Sequence, residues 1–389
     1  MNNKLPLKRI TSIDAFRGIT ILVMVFVNEL SGIRDIPAWA KHMPAKADDM
    51  SFVDIVFPAF LFIAGMALPF AIAKRLSNNP DRKKLWEHIL WRVAGLLCFG
   101  FFMVNTEGGG PHHMLLPIAW WALLFYLFAI LVWKVYYKIS PKQVRIIRGI
   151  GLAGLLLLAL IYRGGRDGDH FMTPKWWGIL GLIGWAYLFS SLFYQLSSGR
   201  FGMLLLFILL CTGLFALTYY YGWYDYPAKN ATHIAVMLCG IATSILLFDQ
   251  NRKASVERRM WGVVAFAAVL FIAAFSLRPA YGISKIYATP SWGFFCAGIC
   301  CVLYLVFYWL IDLKGKSQWT GFIRPAAENP LLTYLIPDII FMLCLALHFH
   351  LFPGKWAYGI PGTIWSACFA IIVLYIAKWL TKSNLRLQL

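Results

Sequence analysis

Residues 52–73 read FVDIVFPAFLFIAGMALPFAIA, an apolar run whose only charge is Asp54. As an α-helix the run is about 33 Å long at about 1.5 Å per residue, enough to cross roughly 30 Å of bilayer hydrocarbon. It lacks the apolar–polar alternation of a barrel strand, so a membrane helix is predicted. Pro58 and Pro69 fit that reading, because a membrane helix tolerates proline where neighbours satisfy the freed backbone groups.

Similar runs recur near 14–31, 87–105, 114–133, 149–162, 176–195, 201–221, 232–249, 260–277, 291–312, 331–350 and 361–379. The 149–162 run is short, so the count is eleven or twelve. The expected fold is all-α: a polytopic membrane helical bundle forming one domain over residues 1–389. Composition points the same way. Hydrophobic residues make up 60% of the chain and charged residues 14%, against about 45–50% and 25% in soluble domains. A soluble enzyme, a disordered chain and a fibrous repeat are excluded, since a globule of this size lacks the polar cover for so much apolar surface.

The formal net charge is +19, and its distribution explains it. With both termini placed in the cytoplasm, 24 of the 36 Lys and Arg fall on the cytoplasmic side and 10 on the other, with Arg17 and Arg92 inside spans. That asymmetry follows the positive-inside rule, so the charge reads as topology and not as nucleic-acid binding. A basic start precedes the first apolar run without a small-residue cleavage site, so no cleavable signal peptide is expected. All eight Cys fall inside spans, which predicts packing rather than disulfides or metal. No internal repeat is evident.

Ionisable groups inside a membrane are costly and mark function. The first hairpin concentrates them. Asp14 and Arg17 share one helix face and can pair, although Ser12 or Asp14 could equally cap that helix. Asn28 and Glu29 end the first span on the outer side. The outer loop then carries His42, and Asp54 opens the second span. Asp54 is either a cap or a carboxylate that orients the His42 imidazole for acyl transfer. His112 and His113, near Glu107, are further outer-face groups, and their spacing matches no metal motif. Gly108-Gly109-Gly110 lacks the Lys-Ser/Thr of a phosphate loop. Asp338 lies deep in the eleventh span, nine residues after Asn329. Arg17, Arg92 and Arg324 form a candidate cationic mouth for a phosphate-bearing cofactor.

At this hairpin a resemblance enters. Ser12-Ile13-Asp14-Ala15-Phe16-Arg17-Gly18, then Met24-Val25-Phe26-Val27-Asn28, then Lys41-His42, then Val53-Asp54-Ile55-Val56-Phe57-Pro58 through Gly65 resembles the transmembrane acyltransferases typified by heparan-α-glucosaminide N-acetyltransferase, bacterial members in particular. Weaker similarity recurs at Gly178-Ile179-Leu180 through Ala186-Tyr187 and at Asn329-Pro330-Leu331-Leu332 through Tyr334. The resemblance implies an inner-membrane enzyme that takes acetyl from cytoplasmic acetyl-CoA and delivers it to an amino sugar on the outer side. It assigns His42, with Asp54, to catalysis and matches Asn28 to the family Asn. Asn28, Asp14, Glu29, His112, His113 and Asp338 are then expected on the acceptor, and Arg17, Arg92, Arg324 and Asn329 on acetyl-CoA. The sequence departs from the family at Gly181-Leu182, where a Gln-Arg pair is expected, and at Pro337, where a His is expected. Direct transfer and a ping-pong route through acetyl-imidazole both fit. So do an O-acyltransferase of envelope glycans and, from another class, a proton-coupled sugar or organic-anion transporter using Asp14, Glu29, Asp54 and Asp338. No metal is expected. Membrane lipid is the surrounding partner, and a homodimer is compatible with the pattern.

Overall fold

A computed structural model describes all residues except 1–4, 7–8, 108–113, 166, 175, 223–225, 350–356 and 388–389, and the backbone alone for 226–229. The described chain is all-α, with thirteen α-helices: α1 Thr11–Leu30, α2 Phe52–Asn78, α3 Arg82–Thr106, α4 Ile118–Trp133, α5 Pro141–Ile161, α6 Gly178–Leu196, α7 Phe201–Tyr220, α8 Tyr226–Phe248, α9 Val256–Tyr281, α10 Pro290–Phe307, α11 Arg324–Glu328, α12 Pro330–Ala346 and α13 Gly359–Lys382. Nine of these contain an apolar stretch long enough to cross a membrane, and α4 and α12 are shorter apolar helices. The chain is therefore a helical, multi-pass membrane protein. Each predicted run overlaps a helix, although α1, the helix of the 14–31 run, belongs to neither group, and the 291–312 run extends past α10 into a π-helical turn.

Two helices differ from expectation for physical reasons. The short run at 149–162 is the C-terminal part of α5, which starts eight residues earlier. There Ser140 and Gln143 form a reciprocal capping box, so Lys142, Arg145 and Arg148 lie on its first turns and not in a loop. Helix α1 begins at Thr11 with no side-chain cap from Ile10. Neither Ser12 nor Asp14 caps it. Asp312, on a π-helical turn after α10, accepts from the Ser12 backbone N–H at 3.2 Å. The Ser12 hydroxyl meets the Tyr304 hydroxyl at 2.9 Å.

Helices α2 and α8 form the centre. The apolar stretch of α8 is wholly buried, while α5, α7 and α9 leave most of theirs exposed, as expected for helices facing lipid. Glycines set the central crossing. A methyl on Gly65 would overlap the Met237 carbonyl, and one on Gly240 would overlap the Phe62 carbonyl. Small residues here let two backbones meet, the common device of membrane helix pairs. The α3–α6 pair is built likewise, with Gly100 against Trp177 and Gly181. This explains Gly181 in place of a larger residue: its position lies under Trp177.

Candidate functional site

The far end of the bundle, where α1 finishes and α2 begins, holds the first cluster. After α1 the chain makes a short 3-10 turn at Ala38–Ala40 and presents His42. Ser51 caps α2 in a capping box whose acid is Asp54. Asp54 is 1% exposed, and its carboxylate accepts on both oxygens. Oδ1 faces His42 Nδ1 at 2.7 Å. Oδ2 takes the backbone N–H groups of Ser51 at 3.1 Å and Met43 at 3.2 Å, with the Ser51 hydroxyl at 3.3 Å. The Trp292 indole donates to the Asp54 carbonyl at 3.2 Å. Capping and orientation, alternatives at the level of sequence, thus coexist in one side chain.

A carboxylate held this way is purely an acceptor, so it draws the proton of His42 to Nδ1 and leaves the Nε2 lone pair turned toward a neighbouring donor, Lys285. The Nζ of Lys285, from the α9–α10 loop, lies 3.3 Å from Nε2 and 3.1 Å from Nδ1. Burial lowers the Lys285 ammonium from its ordinary range, and the nearby Asp54 carboxylate partly opposes this. The same loop is pinned to the His42 loop: Arg278 donates to both oxygens of Asp48 at 3.2 Å, and the Ile283 N–H donates to Asp48 at 2.7 Å. Sequence reasoning counted Lys285 only as an outer-side cation. It stands 243 positions from His42, and no local pattern marks it. Buried His233 on α8, with its ring 5.2 Å from Phe57 and 6.2 Å from Trp292, backs the cluster and was likewise missed.

The other expected acceptor groups are scattered. Asn28 is exposed at the end of α1, and Glu29 is half-buried and engaged by the Trp365 indole. Neither touches the His42–Asp54 pair. Asp14 lies at the opposite end of α1. His112 and His113 fall outside the described residues. Asp338 lies on α12 one turn past Tyr334 and lines none of the cavities described below. Among the described residues no three His, Cys, Asp or Glu side chains converge as a metal site would require.

The near end, where α1 begins, holds a cavity of about 530 Å³ between α1, α2, α3, α6 and α12. Arg9, Arg17, Lys74, Arg75, His88 and Arg92 line it together with Asp14 and Glu328, while Ile21, Met24, Phe60 and Ile63 line its apolar part. Asp14 pairs with Arg9 and, at 3.4 Å, with Arg17. The Arg92 guanidinium lies 4.5 Å over the Tyr187 ring, so this charge is held by an aromatic face. Arg17 and Arg92 are thus brought together. Arg324 is not with them: it is exposed, bonded to Glu328 at 2.7 Å, and lines a neighbouring recess with Arg9 and Asp14. Asn329 also lies elsewhere. It is fully buried and holds the C-terminal segment, donating to Thr381 at 3.2 Å and the Leu385 carbonyl at 2.9 Å while accepting from the Leu387 N–H at 3.3 Å.

Helix α2 joins the two sites. From Arg75 to Phe60 it lines the cavity over about 22 Å, and Asp54 stands about 9 Å further on, at about 1.5 Å per residue. One end can bind an anion with an apolar arm, and the other presents an oriented imidazole beside an ammonium.

Comparison with known proteins agrees with the resemblance read from the first hairpin. The chain is 34% identical over 113 residues to human heparan-α-glucosaminide N-acetyltransferase, covering 29% of this chain and 15% of that protein. The mouse protein of the same name is 33% identical over 113 residues, covering 29% and 16%. The chain thus spans about one sixth of the length of these relatives. A family model matches residues 9–209, a range that includes Arg17, His42, Asp54 and Arg92 but not Lys285 or Asn329. As that model accounts for more than half of the chain, the protein belongs to the family described as a domain of unknown function, DUF5009.

Proposed function

We propose that the protein is a transmembrane acetyltransferase that takes acetyl from cytoplasmic acetyl-CoA and passes it to an amino sugar on the far side of the bacterial inner membrane, with eleven or twelve spans and both termini cytoplasmic. The observation that carries the reading is the placement of an oriented His42–Asp54 pair and a cationic cavity at opposite ends of one helix, α2. The partial similarity to heparan-α-glucosaminide N-acetyltransferase supports the reaction class.

On this reading the cavity fits the donor. Arg17, Arg92 and their cationic neighbours, Arg75 among them, hold the diphosphate of CoA, and the apolar walls along α2 take the pantetheine arm. The layer between Phe60 and Asp54 opens to let the thioester reach His42. Asp54 keeps the His42 proton on Nδ1. Nε2 removes a proton from the acceptor amine as its nitrogen attacks the thioester carbonyl. The tetrahedral intermediate collapses with cleavage of the C–S bond, and the imidazolium returns the proton to the departing CoA thiolate. The Lys285 ammonium sits where an oxyanion would gain from a cation. In a ping-pong variant Nε2 itself attacks the thioester and expels CoA thiolate as the C–S bond breaks, and the acceptor amine then attacks the acetyl-imidazole, breaking the N–acetyl bond and leaving its proton on the released imidazole.

The test is incubation of purified protein with acetyl-CoA and glucosamine-type acceptors, with products read by mass spectrometry. The expected result is sugar-dependent CoA release and a product heavier by one acetyl group, on nitrogen rather than on a hydroxyl. His42→Ala is expected to abolish it while the protein still folds, with a melting temperature lowered by the loss of the Asp54 partner. Near-normal turnover by that variant removes His42 from the mechanism.

A further inference from the structure

Beside the main cavity, at the same end of the bundle, a second recess of about 450 Å³ opens between the ends of α2, α3, α4 and α5. Arg75 and His88 line both spaces. The recess adds Lys134 and Arg148, with Trp91, Trp133 and Tyr136 forming an aromatic wall. No Asp or Glu lines it, and Arg75, Lys134 and Arg148 form no ion pair among the described residues. Three like charges around one space repel each other unless an anion sits among them.

A second observation concerns donors. The Trp133 side chain is 4% exposed, and its indole N–H is buried without a hydrogen-bond partner. The Arg148 Nε–H is in the same state, with its guanidinium held 5.7 Å over the Trp91 ring. Native proteins seldom leave buried N–H groups unpaired, because each costs a desolvation penalty. The recess therefore offers three cationic side chains, has unpaired N–H groups on two residues of its wall, and is lined by no carboxylate. What complements it is a small anion with several acceptor oxygens.

We infer that this recess binds a phosphoryl group. Two sources share that chemistry. One is the 3′-phosphate of CoA, with the diphosphate at the shared Arg75 and the arm in the main cavity; this source rests on the acetyl-CoA reading above. The other is the headgroup of an anionic phospholipid, attracted to basic and aromatic residues at helix ends; this source is independent of that reading.

The experiment uses the full-length protein in nanodiscs, the variants Arg148→Ala and Lys134→Gln, and two pairs of probes. In phosphatidylcholine discs, binding of CoA is compared with that of dephospho-CoA, which lacks only the 3′-phosphate. Separately, melting in phosphatidylglycerol-containing discs is compared with melting in pure phosphatidylcholine. If the nucleotide is the source, the wild type binds CoA about tenfold more tightly than dephospho-CoA, and each variant erases the difference. If the lipid is the source, the wild type melts several degrees higher with phosphatidylglycerol, and each variant loses that gain. Variants that melt like the wild type in phosphatidylcholine yet leave both differences intact overturn the inference, as does a wild type showing neither difference. Equal binding of CoA and dephospho-CoA leaves the acetyl-CoA reading standing and excludes the nucleotide source. If neither nucleotide binds, that reading fails and the lipid comparison alone decides.

Discussion

Replacing Asp54 by Asn tests the proposed chemistry at its hinge. The carboxylate accepts from His42 on one oxygen and from Ser51 and Met43 on the other. Asn has one oxygen and one NH2. With the amide oxygen toward Ser51 and Met43, the backbone donors stay satisfied and the NH2 meets His42 Nδ1. The reverse orientation sets the NH2 against two backbone N–H groups, at about 1–3 kcal/mol for each donor left unpaired, so the first orientation wins. In it the imidazole must accept at Nδ1 and carry its proton on Nε2, which is the wrong tautomer for a base. The equivalent Asp-to-Asn change in acyl-transfer triads lowers turnover about 10⁴-fold, or roughly 5 kcal/mol at 1.36 kcal/mol per factor of ten. Stability should fall much less, by about 1–3 kcal/mol, because charge-assisted bonds become neutral ones. The assay is acetyl-CoA-dependent acetylation of a glucosamine-type acceptor, with thermal melting as the folding control. A folded Asp54→Asn protein turning over within about tenfold of the wild type refutes Asp54 as the orienting group.

Lys285 has a pH signature. Its folded-state pKa lies below the ordinary 10.5 because burial outweighs the help of Asp54. Between the lowered folded value and 10.5 the unfolded chain binds more protons, so stability should rise with pH across that window. Lys285→Met should flatten the rise, as measured by melting temperature against pH. If the ammonium stabilises the oxyanion, the same variant also loses the alkaline limb of the rate profile, while Lys285→Arg moves that limb to higher pH. At the cavity, Arg17→Ala and Arg92→Ala should each raise KM for acetyl-CoA about tenfold or more with a smaller effect on kcat, since each removes a charge-assisted contact; unchanged KM in both removes them from the donor site. At the central crossing, Gly65→Ala and Gly240→Ala should each destabilise by about 1–3 kcal/mol or more through overpacking. Both act on one α2–α8 separation, so the double variant should cost less than the sum. Strict additivity in thermal melts would show that the two glycines are independent.

The helices were readable because the bilayer imposes length and apolarity on each segment separately. The exception shows the rule's limit. Hydropathy located the apolar part of α5 but not its first two turns, where Lys142, Arg145 and Arg148 are helical and polar. A helix that emerges from hydrocarbon no longer needs apolar residues, and only the Ser140–Gln143 capping box marks its start. The cap of α1 was unreadable for another reason. It comes from Asp312, three hundred positions away, and no local rule anticipates a cap supplied from so far along the chain.

The site divides along the same line. Arg17, Asp54 and Arg92 stood out because charge inside a membrane is expensive, and His42 because the motifs of the first hairpin resemble a known family. Cost alone does not separate binding from support, and Asn329 shows why. Its motif drew it into the expected cofactor group, yet its amide is saturated by Thr381, Leu385 and Leu387. A buried amide that closes a chain terminus and one that grips a phosphate look identical until their partners are known. Lys285 is the converse. It sits in a loop where a lysine is cheap, so nothing in its neighbourhood sets it apart, and only the docking of Asp48 on Arg278 and Ile283 carries it to His42. In a membrane protein, therefore, energetic cost identifies site residues within spans, whereas a loop residue needs either a family motif, as at His42, or a long-range contact, as at Lys285. The Asp48–Arg278 bond is accordingly as much a part of the candidate site as the residues that flank it.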